Sequence, residues 1–323
     1  MTARVLLGNA TVLLLVAAAS SSGQTNPPAA AGASRQEPSV APGAALNLAA
    51  FPFSREIRAG TPGLNAIALD AAVLAHAGAP GLADIRIAAS SGQEIPYLLE
   101  MLDEPLSVIL PPLEKATPPR GADDAGRRAT GTRSHYRILL PYETLPASRL
   151  VLETTARVFE RGVFVMAGRE DRDAGRAGGA RWVAGRRWGH ADPETPAPAL
   201  VLDLQPPGTR DLLLIIEEGD NQPLPLSPLR LLLPAFRLRF FRDTDASCLL
   251  LYGRKDLAPP RYDLALIAPR LVGAPAYDVE LGPERSTPPR ATGTLPPAVF
   301  WGALITAVVV LLLLVVRLLW QKP

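Results

Sequence analysis

The sequence is poor in the side chains that most often carry chemistry. Of 323 residues, one is cysteine (Cys248) and three are histidine. A single cysteine excludes an intrachain disulfide, so a fold outside the cytosol must rest on packing alone. His76, His135 and His190 are far apart, and none belongs to a spaced metal motif such as H-E-x-x-H. A G-x-S-x-G elbow, a phosphate-cradling glycine loop and a dinucleotide fingerprint are all missing. No catalytic residue is therefore assigned, and a non-enzymatic role is expected. Lysine occurs only at Lys115, Lys255 and Lys322, which leaves arginine to supply the positive charge. The net charge is only +2 and the two signs are interspersed, which argues against a nucleic-acid partner. Sustained helical periodicity is absent too, outside the apolar ends of the chain.

Those ends are what the sequence does have. Residues 1–23 read as a secretory signal: Arg4 gives a positive start, Val5 to Ala19 an apolar run, and small residues up to Gly23 a cleavage site. Near the other end, Ala298 to Val316 gives nineteen residues without a charge. As a helix this run is about 28 Å long, close to the hydrocarbon thickness of a bilayer. Trp301 and Trp320 fall where amphipathic rings settle at the two interfaces, and Arg317 and Lys322 put positive charge on the C-terminal side. The expectation is one transmembrane helix over 298–320 and a cytoplasmic tail of 321–323.

Between the ends, β-prone runs such as "YRILLPY", "ARVFERGVFVMAG" and "RDLLLIIEE" are punctuated by proline and glycine. In "ADIRIAASSGQEIPYLLE", alternation about a Ser91-Gly92 turn predicts a hairpin, and Asp70 is placed to cap one short helical turn. The fold class expected is mainly β, with two antiparallel β-sandwich, jelly-roll-like domains. The boundaries that follow are a disordered leader at 24–46, an N-terminal β domain at 47–112 and a linker at 113–133. After it come a β-sandwich region at 134–283 and a proline-rich stalk at 284–297.

Several phrases, "LADIRI...GQEIPYLLE", "EEGDNQPLPLSPLRL" and "LLLYGRKDLAPPRYDLALI", together with the single C-terminal span, resemble the bacterial envelope family labelled domain of unknown function 3999. The middle portion is similar to a galactose-binding-like jelly roll. The resemblance implies a bacterial inner-membrane protein, single-pass, with its bulk in the periplasm. It also implies partners in the membrane, an envelope glycan or a multi-spanning membrane protein, and it assigns no established activity.

Two segments are candidates for ligand or ion binding. In "EEGDN", the oxygens of Glu217, Glu218 and Asp220 suit a structural calcium ion, or two of them the acid and base of a glycosidase. Adjacent strand residues point to opposite faces, however, so Glu217 and Glu218 do not line one pocket without a bulge. Gly219, Asp220 and Asn221 are also turn formers, which favours a shaped loop. In "RWVAGRRWGHADPE", Trp182 and Trp188 offer ring faces for sugars and Arg187 a donor for anions, whereas the plainer reading has both rings anchoring a loop. Tyr252 and Tyr262 are expected to pin a loop with buried rings and wet hydroxyls, Asp263 to cap its turn, and Cys248 to be a core residue.

Overall fold

The computed structural model describes residues 4–5, 43–117, 132–167, 181–243, 247–287 and 297–320. Apart from 4–5, the expected signal and leader up to residue 42 lie outside them, as do 118–131 of the expected linker, 288–296 of the stalk and the tail 321–323. The strands in chain order are β1 (Arg4–Val5), β2 (Phe53–Ile57), β3 (Gly63–Ala68), β4 (Arg86–Ala88), β5 (Glu94–Ile95), β6 (Tyr97–Ile109), β7 (Glu114–Lys115), β8 (Thr132–Leu139) and β9 (Ser148–Leu152). They continue with β10 (Phe159–Ala167), β11 (Arg181–His190), β12 (Leu200–Leu204), β13 (Asp211–Gly219), β14 (Arg230–Arg242), β15 (Cys248–Tyr252), β16 (Tyr277–Val279) and β17 (Leu281–Ser286). The helices are α1 (Ala71–His76), α2 (Ala268–Leu271) and α3 (Pro297–Trp320), with short 3-10 turns between strands.

The described residues are mainly β and form three sheets. Sheet I runs β1-β6-β14-β3-β16, with β9 on β14 and β12 on β9; sheet II runs β11-β10-β13-β8-β7; sheet III runs β17-β2-β15-β4-β5. The long strand β14 is common to two cores. Its first half pairs with β9 (Arg230 to Leu232) and its second half with β3 (Arg237 to Arg242), while β6 follows it along the other edge. Pro234, which has no N–H to give the ladder, sits where the β14–β6 register shifts, between Leu233 and Ala235.

Before the shift, Leu231 and Leu233 enter a core with Leu150, Leu202, Val163, Val165, Leu214 and Ile216, between sheets I and II. Past it, Leu238 and Phe240 enter a second core with Ile57, Ile67, Ile87 and Leu250, between sheets I and III. Helix α1 serves both cores, Val73 in the second and Leu74 and Ala75 in the first. Its cap is Asp70, whose Oδ1 accepts from the Val73 N–H at 3.1 Å. Strands from either side of the expected 113–133 linker share sheets: β3 and β6 pair with β14, and β2 and β4 with β15.

Two of the phrases that carry the family resemblance meet in sheet III, whereas "EEGDNQPLPLSPLRL" runs from the end of β13 in sheet II to the start of β14 in sheet I. The expected hairpin forms, with Ile87 opposite Ile95, but Asp84 and Arg86, which alternate with its isoleucines, do not face water. Asp84 is fully buried and accepts from the backbone N–H of Gly78 (2.8 Å), Ala79 (3.3 Å) and Gly253 (2.7 Å). Arg86, also buried, meets Glu94 at 3.1 Å and donates to the carbonyls of Ala83, Ile85 and Ala258. The Tyr262 hydroxyl donates to Glu94 and the Tyr252 hydroxyl to Glu284, so carboxylates stand where water was expected. Asp263 lies in the first turn of a 3-10 helix (Asp263–Ile267) and makes no capping hydrogen bond; Tyr262 is the N-cap. Cys248 is buried in the second core.

Residues 1–285 form one compact unit and residues 286–323 another. The second contains α3, 24 residues long, whose side chains are described at 301, 302 and 304–317. Among the described residues, no helix is long and apolar enough to cross a membrane. Within α3, the consecutive residues from Val308 to Val316 are all exposed, between 48% and 65%. Trp301 and Arg317 are exposed too, whereas the Trp320 side chain and Lys322 are outside the described residues.

Candidate functional site

The expected binding residues divide between the two faces of sheet II. Strand β13 alternates: Leu212, Leu214 and Ile216 point into the first core, and Glu218 follows them inward. Its side chain is 1% exposed and meets Arg161 Nε at 2.8 Å. Both Glu218 oxygens also lie 3.3 Å from the Leu224 N–H, and its carbonyl accepts from the backbone and side-chain amides of Asn221 at 3.2 and 3.1 Å. Glu218 and Asn221 thus close the 219–224 loop, with Gly219 in the left-handed region (φ 62°). Asp220 stands in that turn, and Glu217 is on the opposite face of the strand. The acids do not converge, and among the described residues no group of three or more His, Cys, Asp or Glu could hold a metal ion.

Trp182 and Trp188 are likewise divided. The segment expected as a loop is strand β11, paired along its length with β10. Trp188 is 4% exposed, packs edge-on against Phe159 at 5.1 Å and donates from its indole N–H to the Pro198 carbonyl at 3.0 Å. It is a core residue. Trp182 is 55% exposed, because the β-bulge between Val165 and Met166 shifts the register and sets it on the outer face.

The pairing registers assemble that outer face from four strands. One row reads Arg133, Glu217, Gly162, Arg187; the next reads His135, Ile215, Phe164, Gly185; a third reads Arg137, Leu213, Met166, Trp182. The two glycines shape it. A Cβ on Gly185 would lie 2.5 Å from Trp182 Cζ2 and 2.7 Å from Phe164 Cδ1, so the indole lies across Gly185 and leans on Phe164, at 5.0 Å between centroids. A Cβ on Gly162 would lie 2.6 Å from Glu217 Oε2, so that carboxylate reaches over the neighbouring strand.

The charges around this strip are matched. Arg133 meets Glu217 at 3.4 Å, Arg187 meets Glu160 at 3.4 Å, and Arg137 pairs with Asp211. On this face Ile215 and Met166 are each only 8% exposed, so what it opens to solvent is one pinned indole, rimmed by carboxylates and guanidiniums. Gly162, Phe164, Gly185 and Arg133 were not singled out in the sequence. Period-two alternation in "FERGVFVMAG" does place Glu160, Gly162 and Phe164 on one face, but which strands flank them is a tertiary fact.

No family model matches the chain, and no curated protein matches it. A solved structure of infectious bursal disease virus, Gx strain, aligns with 81% of this chain and 75% of that chain at 14% identity and a TM-score of 0.14. One of the Gt strain aligns with 74% and 70% at 9% identity, also with a TM-score of 0.14. Likeness at this level carries no argument about fold or function.

Proposed function

We propose that the protein is a non-enzymatic, membrane-anchored envelope protein that presents β-sandwich modules for recognition, with a glycan as the ligand taken up on the outer face of sheet II. The carrying observation is Trp182: a large ring held in place by Gly185 and Phe164, yet 55% exposed. An isolated exposed tryptophan on a free loop loses conformational entropy when a ligand orders it; one pinned to a sheet loses little. Ring faces suit the apolar faces of sugars, and Glu217, Arg133 and Arg187 around the strip supply acceptors and donors for hydroxyls. A glycosidase is disfavoured because Glu218 is neutralised by Arg161 in the core and faces away from Glu217.

The region 134–283 is read as galactose-binding-like, and residues 1–23 as an export signal. Helix α3 is read as a single crossing of a bacterial inner membrane, with the C-terminus cytoplasmic. What supports the crossing is the sequence, nineteen residues without a charge from Ala298 to Val316 closed by Arg317; the described part of α3 does not itself meet the length and apolarity of a span. The test combines two measurements on the full-length chain. A C-terminal phosphatase fusion should be inactive and a fluorescent fusion bright. In detergent, the protein should be retained on a polysaccharide matrix without cleaving it, and Trp182→Ala should weaken the retention. Bond cleavage abolished by Glu217→Gln would replace this reading with a hydrolase.

A further inference from the structure

The guanidiniums around Trp182 are committed to carboxylates of the same face. Arg137 of β8 holds Asp211 of β13 through both Nε and a terminal nitrogen, so its fork is occupied. Arg133 reaches Glu217 at 3.4 Å, and Arg187 reaches Glu160 at 3.4 Å. Glu114 of β7 stands opposite Arg137 and brings a further carboxylate to this face. With it, the carboxylates outnumber the guanidiniums four to three.

The placement of these pairs relative to the indole is set by glycines. The indole lies across Gly185, and the Phe164 ring runs from there to Gly162, where a Cβ would lie 3.1 Å from its Cε2 and Cζ and 2.6 Å from Glu217 Oε2. Phe164 thus lies between the indole and the Glu217 carboxylate. Rows on one face are about 7 Å apart along a strand and neighbouring strands about 5 Å, which sets the carboxylate over Gly162 about 9 Å from the indole over Gly185. Arg187 is on the strand of the indole, but its partner Glu160 lies over Gly189, where a Cβ would be 3.4 Å from its Cγ. That pair is one row further from Trp182. A ligand stacked on the indole and extending over Phe164 therefore meets a carboxylate first.

We infer that this face takes neutral glycans and discriminates against acidic ones, an inference that rests on the glycan reading of the same site. Hydroxyls both donate and accept, so a neutral sugar bonds to Glu217 and Arg133 while their pair stays closed. An acidic sugar on the indole brings its anion against Glu217. It gains a guanidinium only by opening an existing pair, which leaves a carboxylate without its counter-charge. Specificity here comes from the repelling group as much as from the ring.

Matched polysaccharides test this: a β-glucan, a mannan and a galactan, each immobilised in native and in sulfated form. The full-length chain in detergent is offered to each at about pH 8, where an imidazole is ordinarily neutral. The quantity read is the retention that Trp182→Ala removes. On the native form it should be at least about fivefold greater than on the sulfated form. It should also change less than about twofold between about 50 mM and about 500 mM sodium chloride. Glu217→Gln, which removes the carboxylate over Gly162, should raise retention on the sulfated form severalfold and make that part fall with salt. Trp182-dependent retention that is equal or greater on the sulfated forms would overturn the neutral class and leave the glycan reading standing. Its absence from every polysaccharide would remove the glycan reading itself. Selectivity unchanged in Glu217→Gln would overturn the inference as well; should that variant fail to fold, the wild-type comparison decides.

Discussion

Gly185→Ala is the sharpest probe of the sheet II face, because it adds one methyl group and removes nothing. The new Cβ would lie 2.5 Å from the Trp182 ring and 2.7 Å from the Phe164 ring, so the indole must lift off the sheet. Gly185 sits mid-strand and is exposed, where the backbone preference favours alanine, so the cost to folding is that of displacing the Trp182 and Phe164 rings. The effect on binding follows from area. A tryptophan side chain offers about 250 Å², and Trp182 is 55% exposed, which leaves about 140 Å² open to a ligand. A sugar on one ring face covers about half of that, about 70 Å². At about 25 cal/mol per Å² this is about 1.7 kcal/mol, a factor of roughly 20 in affinity. Titration calorimetry with the retained polysaccharide should show that loss in both Gly185→Ala and Trp182→Ala, with melting temperatures within a few degrees of wild type. Gly162→Ala, which displaces the flexible end of Glu217 and asks the Phe164 ring, 3.1 Å away, to give by only a few tenths of an ångström, should cost less. Wild-type affinity in Gly185→Ala, with unchanged tryptophan emission, would refute the pinned-ring argument.

Two further outcomes follow from buried polar groups. Glu218→Ala leaves the Arg161 guanidinium buried without its counter-charge and should cost about 3–5 kcal/mol in urea melts, whereas the double change Arg161→Met with Glu218→Leu should lie within about 2 kcal/mol of wild type. Burial raises the phenols of Tyr97, Tyr142, Tyr252 and Tyr262 above their ordinary value. The unfolded chain then releases protons that the folded chain keeps, so stability is intact below about pH 10 and falls as the pH rises beyond it. Phenolate absorbance of Tyr97, Tyr252 and Tyr262 should appear together with loss of the circular dichroism of the fold; independent titration of these three near pH 10 in the native state would contradict this.

Local features were the legible ones. The Asp70 cap, the hairpin around Ser91-Gly92, and the opposite orientations of Glu217 and Glu218 follow from side-chain chemistry and the period of a strand, which a few neighbouring residues define. Trp182 and Trp188 were visible as candidates, but a one-residue bulge at Val183, between them on the same strand, decides which is platform and which is core. The contacts among Phe53, His76, Tyr142, Tyr252 and Glu284 left no local trace. His76 and Glu284 are 208 positions apart, and only the pairing of β2 with β15 and β17 brings them together. The buried charges Asp84 and Arg86 read as the solvent side of a hairpin because their partners, Gly253 and Ala258, come from a distant strand and its following loop.

The division of β14 between two cores also sets a timetable. A chain is made from its N-terminus at about 5–20 residues per second, and Ala68 of β3 finds its partner at Arg237 of β14, about 170 residues later. Strands β2 to β6 therefore wait on the order of 10–35 s with open edges and a bare apolar face, while the segment that builds the first core is synthesised between them and their closing strands. That interval is long compared with hairpin formation, and it is when this chain is most open to aggregation. A holdase that covers apolar strands should matter most between the synthesis of residues 110 and 252, and a nascent chain stopped before β14 should be protease-sensitive throughout its first 110 residues.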